Sequence, residues 1–194
     1  SKGIAMYVNF PSDVTRTNST VMLAANESLY YTLKDSPTYS LVDMKGNIKT
    51  VTPAFALENL QGFEGYVFIP FNQFVSKTGT ELTGAMLNTM KFEVRISQYR
   101  DNRNDINKEY IYDSIGCYAD INAYINLVKS NDDPVRPETG DYLYKTYDNI
   151  SSEYNIYDDI SIEKVDDVTG MGGAVSVTPT AVNSTVWFVS PFEK

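Results

Sequence analysis

Apolar and polar residues alternate one by one from Met90 to Ser97: Met90, Phe92, Val94 and Ile96 share one face, and Lys91, Glu93, Arg95 and Ser97 share the other. A period of two marks a strand with one face in a core and one in water. The same period brings Ile4, Met6, Val8 and Phe10 together near the start of the chain, and Pro11, which has no N–H to give to a ladder, ends that strand. Thr20 to Ala25 and Ser28 to Leu33 predict two further strands about the turn-forming Asn26. Tyr39 to Asp43 and Ile48 to Thr52 predict a hairpin around Lys45-Gly46-Asn47, whose glycine supplies the positive φ of a tight turn. Gly65 to Phe71 is apolar on both sides, Tyr66 and Phe68 on one and Val67, Ile69 and Phe71 on the other, which predicts a strand buried on both faces. Tyr110 to Tyr118 predicts one more strand. PAFALENLQ, from Pro53 to Gln61, follows neither period and fits a helical turn or an irregular connection, and Asn72 to Leu87 reads as a long connection.

After Tyr118 the period changes. Ile121, Tyr124, Ile125 and Val128 keep helical spacing and predict a short amphipathic helix from Asp120 to Lys129, followed by the turn-rich linker SNDDPVRPETGD. Strand signals return at Asp159 to Val165, Ala174 to Thr178 and Thr185 to Ser190, with the turn GMGG between the first two. The chain therefore divides into main strands over 1–118, a helix and linker over 119–155, and C-terminal strands over 156–194. Three strands bury too little surface to offset the entropy of ordering them alone. The fold class expected is all-β, a jelly-roll-like β-sandwich of two antiparallel sheets with a short helix and a long connection before the C-terminal strands.

Composition narrows the function. Sixteen basic against twenty-five acidic residues leave a net charge of −9, which argues against nucleic acid and anionic membranes, since both reward clustered Lys and Arg. The sequence has no apolar run of membrane-spanning length, so no membrane insertion is expected. Cys117 is the single cysteine, so no intrachain disulfide can form, and its place in a strand predicts a small core residue. The absence of histidine removes the usual general base for a Ser or Cys nucleophile and the commonest zinc ligand. Paired carboxylates could still hydrolyse a glycoside, and Glu58, Glu64, Glu93, Asp101, Asp113 and Asp159 are available, but acids are expected on the surface of so acidic a chain. No enzymatic activity is expected.

The segments KGIAMYVNF, GFEGYVFIPFNQF, MKFEVRI and YIYDSIGCY, in that order, resemble the galactose-binding-like β-sandwich modules of secreted multimodular bacterial proteins, carbohydrate-binding modules among them. The likeness covers residues 3–118 and is one of strand patterns. It implies a non-catalytic module, secreted or at the cell surface, that binds carbohydrate. The family carries strands before the KGI strand, and YDDISIEKVDD, GGAVSVTP and STVWFVSPFEK in the tail are similar to them. The tail is thus expected either to complete the sandwich in permuted order or to open a following module. A structural calcium ion is also implied, at Asp113 on the closing strand and Asp159 on the tail strand, although Ser114 stands where the family often has a second acid.

Sugar rings pack their C–H faces on aromatic side chains while amides, carboxylates and guanidinium groups bind their hydroxyls. Tyr99, Arg100, Asp101, Asn102 and Arg103 gather these groups on one loop and are the candidate ligand-binding residues; Tyr142, Tyr144, Tyr147, Tyr154 and Tyr157 form a looser cluster. The loop from Asp101 to Asn107 is rich in oxygen but has Arg103 at a ligand position and lacks the EF-hand glycine, so a solvated turn is expected there. Trp187 alternates with Val186 and Phe188 and is expected in the core. The partners expected are a glycan or polysaccharide and other domains of the same chain. The alternatives are a structural or protein-interaction module of a cell-surface protein, and an accessory domain of a glycoside hydrolase with no activity of its own.

Overall fold

The computed structural model describes residues 2–26, 28–87, 89, 92–99, 105–122, 125, 160–165, 174–180 and 185–191. Among them the chain forms strands β1 (Gly3–Asn9), β2 (Asn18–Ala24), β3 (Tyr30–Leu33), β4 (Tyr39–Asp43), β5 (Ile48–Val51), β6 (Leu57–Glu58), β7 (Glu64–Pro70), β8 (Phe74–Val75), β9 (Glu93–Tyr99), β10 (Tyr110–Tyr118), β11 (Ile160–Val165), β12 (Ala174–Pro179) and β13 (Thr185–Pro191). One sheet runs β11-β12-β10-β1-β7-β4-β5 and the other β13-β9-β2-β3-β8, with β6 beside β2. The pairings are antiparallel throughout, and the two sheets make an all-β sandwich. The C-terminal strands stand in these same sheets: β12 pairs with β10, β11 with β12, and β13 with β9.

The inner faces carry the residues that the alternation selects. Ile4, Met6, Val8, Val67 and Ile69 of the first sheet meet Val21, Leu23, Val94 and Ile96 of the second. Each such side chain contributes about 1.5–3 kcal/mol by leaving water. Phe10 stands edge-on to Tyr110 and Tyr112, with ring centroids 5.5 and 5.6 Å apart, and Cys117 is buried in the same core. A polar tie crosses the core where the Ser19 and Tyr112 hydroxyls lie 3.0 Å apart, joining β2 to β10.

The first sheet is also covered on its outer face, which is why β7 is apolar on both sides. Ala5, Tyr7, Val42, Tyr66, Phe68 and Tyr118 form a second cluster there with Ile121 and Ile125. Those two isoleucines and Asn122 are helical, as the spacing after Tyr118 predicts; residues 123, 124 and 126–159, on which the rest of that expectation and the linker fall, lie outside the described residues. The pairing of β1 with β10 slips between Ala5↔Gly116 and Tyr7↔Asp113, so β10 takes three steps where β1 takes two. This β-bulge brings the fully buried Asp113 onto the outer face beside Tyr7.

Three details depart from the sequence expectation. PAFALENLQ contains the two-residue strand β6. The connection after β7 holds a 3₁₀ turn over Phe71–Gln73, β8 and a single helical turn, α1 (Gly84–Leu87). Asp105, expected in a solvated turn, is 2% exposed, because its carboxylate accepts the Thr15 backbone N–H at 2.6 Å and fastens the connection between β1 and β2.

Candidate functional site

The face of the β4–β5 hairpin that carries Leu41 opens into a cleft of about 430 Å³. Leu41 and Leu60, both buried, form its floor, and the half-buried ring of Phe63 forms part of its wall. The polar lining comes from Asp43, Asn47 and Lys49 on the hairpin and from Asn59 and Gln61 on the connection between β6 and β7. Leu41 pairs with Lys49 across the two strands, so the lysine stem lies beside the apolar floor on the same face.

The hairpin is fixed by Asp43. Its Oδ1 accepts the backbone N–H groups of Lys45 and Asn47, and its Oδ2 accepts the Asn47 side-chain amide, all at 2.9 Å. Gly46 follows with a φ of 87°, the left-handed value that this tight turn needs. These donors, the Asn47 amide foremost, hold the Asp43 carboxyl below the usual carboxylate range. Both of its oxygens serve the turn. By contrast, the Lys49 ammonium and the Asn59 side-chain amide have no hydrogen-bond or ion-pair partner among the described residues.

The opposite wall is held from the connection between β1 and β2. Fully buried Thr17 accepts the Leu60 N–H at its Oγ1 (2.6 Å) and the Asn59 N–H at its carbonyl (3.3 Å). Pro11 O accepts the Gly62 N–H, Phe63 O accepts the Phe10 N–H, and the Gln61 Nε2 donates to Thr15 O. Asn59 and Gly62 take left-handed φ values of 56° and 70°, so the loop is wound tightly rather than extended. Gly65 lets β7 close against β4: a Cβ there would fall 2.1 Å from Val42 O and 2.9 Å from Phe63 Cζ. The wall is therefore shaped before any ligand arrives, which lowers the entropy cost of binding.

A second polar group, on the outer face, is closed. Tyr7 donates its hydroxyl to Glu64 Oε1 at 2.8 Å and stands edge-on to Tyr66 with ring centroids 5.8 Å apart. Burial, then the bond to Glu64, pushes the Tyr7 hydroxyl above the ordinary tyrosine range; burial, then the charges of Asp113 and Glu64, does the same to Tyr66. Tyr7 and Asp113 are at most 1% exposed, and of this group Glu64 alone meets solvent.

Of the sequence-predicted ligand residues, Tyr99 pairs through its backbone with Thr185, while Arg100, Asp101, Asn102 and Arg103 lie outside the described residues, as does Asp159. Tyr99 ends β9 one position beyond the Ser19↔Gln98 pair, and Ser19 pairs on its other side with Leu57. Tyr99 thus stands at the end of β9 that lies nearest β6. Asp113 and Ile160, the residue after Asp159, are not brought together. Tyr112 pairs with Val175, next to Ala174↔Val165, whereas Ile160 pairs with Pro179 at the far end of β11, about 16 Å away at 3.3 Å per residue. No group of three or more acidic or cysteine side chains converges on a metal-sized site among the described residues. Sequence reasoning passed over Lys49, Asn59, Gln61 and Phe63; the available signal was NLQGF, two amides, a glycine and an aromatic in a connection without regular period.

In comparisons with protein-family models, with curated proteins and with solved structures, none matches this chain.

Proposed function

We propose that the chain is a non-catalytic carbohydrate-binding module and that its ligand sits in the hairpin cleft. One observation carries this reading: a half-buried aromatic ring, Phe63, borders an apolar floor and is surrounded by the amides of Asn47, Asn59 and Gln61. An aromatic ring accepts the C–H face of a sugar, and amides donate to and accept from its hydroxyls at once. The resemblance of residues 3–118 to galactose-binding-like modules of secreted bacterial proteins points the same way. A structural calcium ion at Asp113 stays a separate proposal, tested by whether a chelator lowers the melting temperature.

Binding to an immobilised glycan panel tests the reading, with Phe63→Ala and Asn59→Ala as variants. Each variant is expected to lower affinity about tenfold or more, the scale of one lost stacking or charge-independent polar anchor of about 1.4 kcal/mol. Far-ultraviolet circular dichroism checks that the variants remain folded. Failure of every glycan to bind the intact chain overturns the reading.

A different observation favours a second reading, a protein-interaction module. Edge strand β5 has an open flank among the described residues, and Ile48 (59% exposed) and Met44 (50%) are large apolar side chains on its hairpin. A strand edge with such side chains is suited to pairing with an extended segment of a partner. Ile48→Lys would abolish that association and leave glycan binding intact.

A further inference from the structure

We infer that the saccharide bound in the cleft is anionic, with its carboxylate or sulfate ester held by Lys49. The inference rests on the carbohydrate reading of the same cleft. Among the described lysines without an ion-pair partner, Lys2, Lys45, Lys49 and Lys77, Lys49 is the one that lines the cleft, where it is exposed to an entering ligand. Lys34 and Lys108 have carboxylates within ion-pair distance, Glu81 and Asp13. Lys49 has none among the described residues, although Asp43 lines the same cleft. The hairpin explains why. Leu41↔Lys49 and Val42↔Ile48 are successive pairs, which places Asp43 diagonal to Lys49, and both Asp43 oxygens are occupied by the turn donors of Lys45 and Asn47. Lys49 thus keeps three donors and a full charge for whatever enters.

Position decides what Lys49 can hold. Its pairing with Leu41 puts it on the face that looks toward the cleft floor, beside Asn47 and across from Asn59 and Gln61. A sugar ring whose apolar face lies against Phe63 presents its substituents to this rim. A neutral hexose would leave the ammonium to water, whereas an acidic one exchanges that hydration for a charge-assisted hydrogen bond. The net charge of −9 repels free anions in general, so selection depends on the local contact and on the ring that carries the charge.

Calorimetric titration of the intact chain with three oligosaccharides tests this: a hexuronic acid oligomer, the same oligomer with its carboxyl groups reduced to neutral hexose, and a sulfated galactan oligomer. Either anionic ligand is expected to bind about five- to tenfold tighter than the neutral one, the range of one partly exposed charge-assisted contact. The tighter of the two anionic oligomers identifies the acid group. Lys49→Gln should remove that advantage and the salt dependence of binding, so that the acidic and neutral oligomers bind the variant equally. Equal affinity for neutral and acidic oligomers, or an unaltered preference in Lys49→Gln, overturns the inference while the carbohydrate reading stands. No binding of any of the three, combined with a silent glycan panel, overturns both.

Discussion

The two polar regions of the seven-stranded sheet have similar ingredients and opposite prospects. On the outer face, Tyr7, Tyr66, Glu64 and Asp113 join acids to aromatic rings, but Asp113 is fully buried and Tyr7 and Tyr66 are buried in one cluster with Ile121 and Ile125. At the β4–β5 end of the same sheet, Asp43, Asn47, Lys49 and Asn59 stand around Phe63 with solvent access. In the closed cluster the polar groups serve one another; in the cleft, one carboxylate is consumed by its own turn and a cation and an amide are left over. Residue type alone does not distinguish a site from a core. The distinction lies in which polar groups are already satisfied and which can still be reached.

Tyr7→Ala gives the largest expected effect on this comparison. It empties a fully buried aromatic site and should lower unfolding stability by about 3–5 kcal/mol, read from a denaturant midpoint. Ligand affinity of the protein that remains folded should not change. A large affinity loss would mean that the outer cluster and the cleft are one functional unit.

Thr17→Val comes next and links the two regions through the loop wall. The isosteric change removes the acceptor of the Leu60 N–H at a fully buried position, with an expected cost of about 1–3 kcal/mol. Because Thr17 positions Leu60 and Asn59, affinity for glycan should fall along with stability, unlike the outcome for Tyr7→Ala.

The smallest effect at neutral pH is electrostatic. Burial raises the hydroxyls of Tyr7, Tyr39 and Tyr112 above the ordinary value of 10.0. A group whose folded pKa is raised keeps its full stabilising share below the unfolded value and loses it as pH rises. Stability should therefore be flat with pH up to about 10 and decline above it. Tyrosinate absorbance from these residues should appear together with unfolding, not before it. On the acid side the sign reverses: the Asp43 carboxyl is held low by its turn donors, so the hairpin loosens as pH falls below the carboxylate range, and cleft binding should weaken there.

Much of the fold was legible because strands are written locally. The alternation of Ile4, Met6 and Val8, the double apolar face from Gly65 to Phe71, and the Lys45-Gly46-Asn47 turn each require only neighbours in sequence. The Tyr7↔Asp113 register was not legible, because a bulge shifts β10 against β1 and no local pattern encodes it. Asp105 misled for a similar reason: its partner, Thr15, is 90 residues away in sequence. The cleft was hidden because it depends on Thr17 reaching Leu60 across 43 residues and on the β4–β5 hairpin facing the Asn59–Phe63 loop. NLQGF has no regular period, and absence of period reads as absence of interest until the loop is placed against a wall.

The most direct test is to follow backbone amide chemical shifts while the intact chain is titrated with the hexuronic acid oligomer. The cleft assignment predicts saturable changes at Asn47, Ile48 and Lys49 and at Asn59 to Phe63, with Tyr7, Tyr66 and Tyr112 unmoved. Saturable changes confined to Tyr99 through Arg103 or to the outer face, or no change at any concentration, would contradict it.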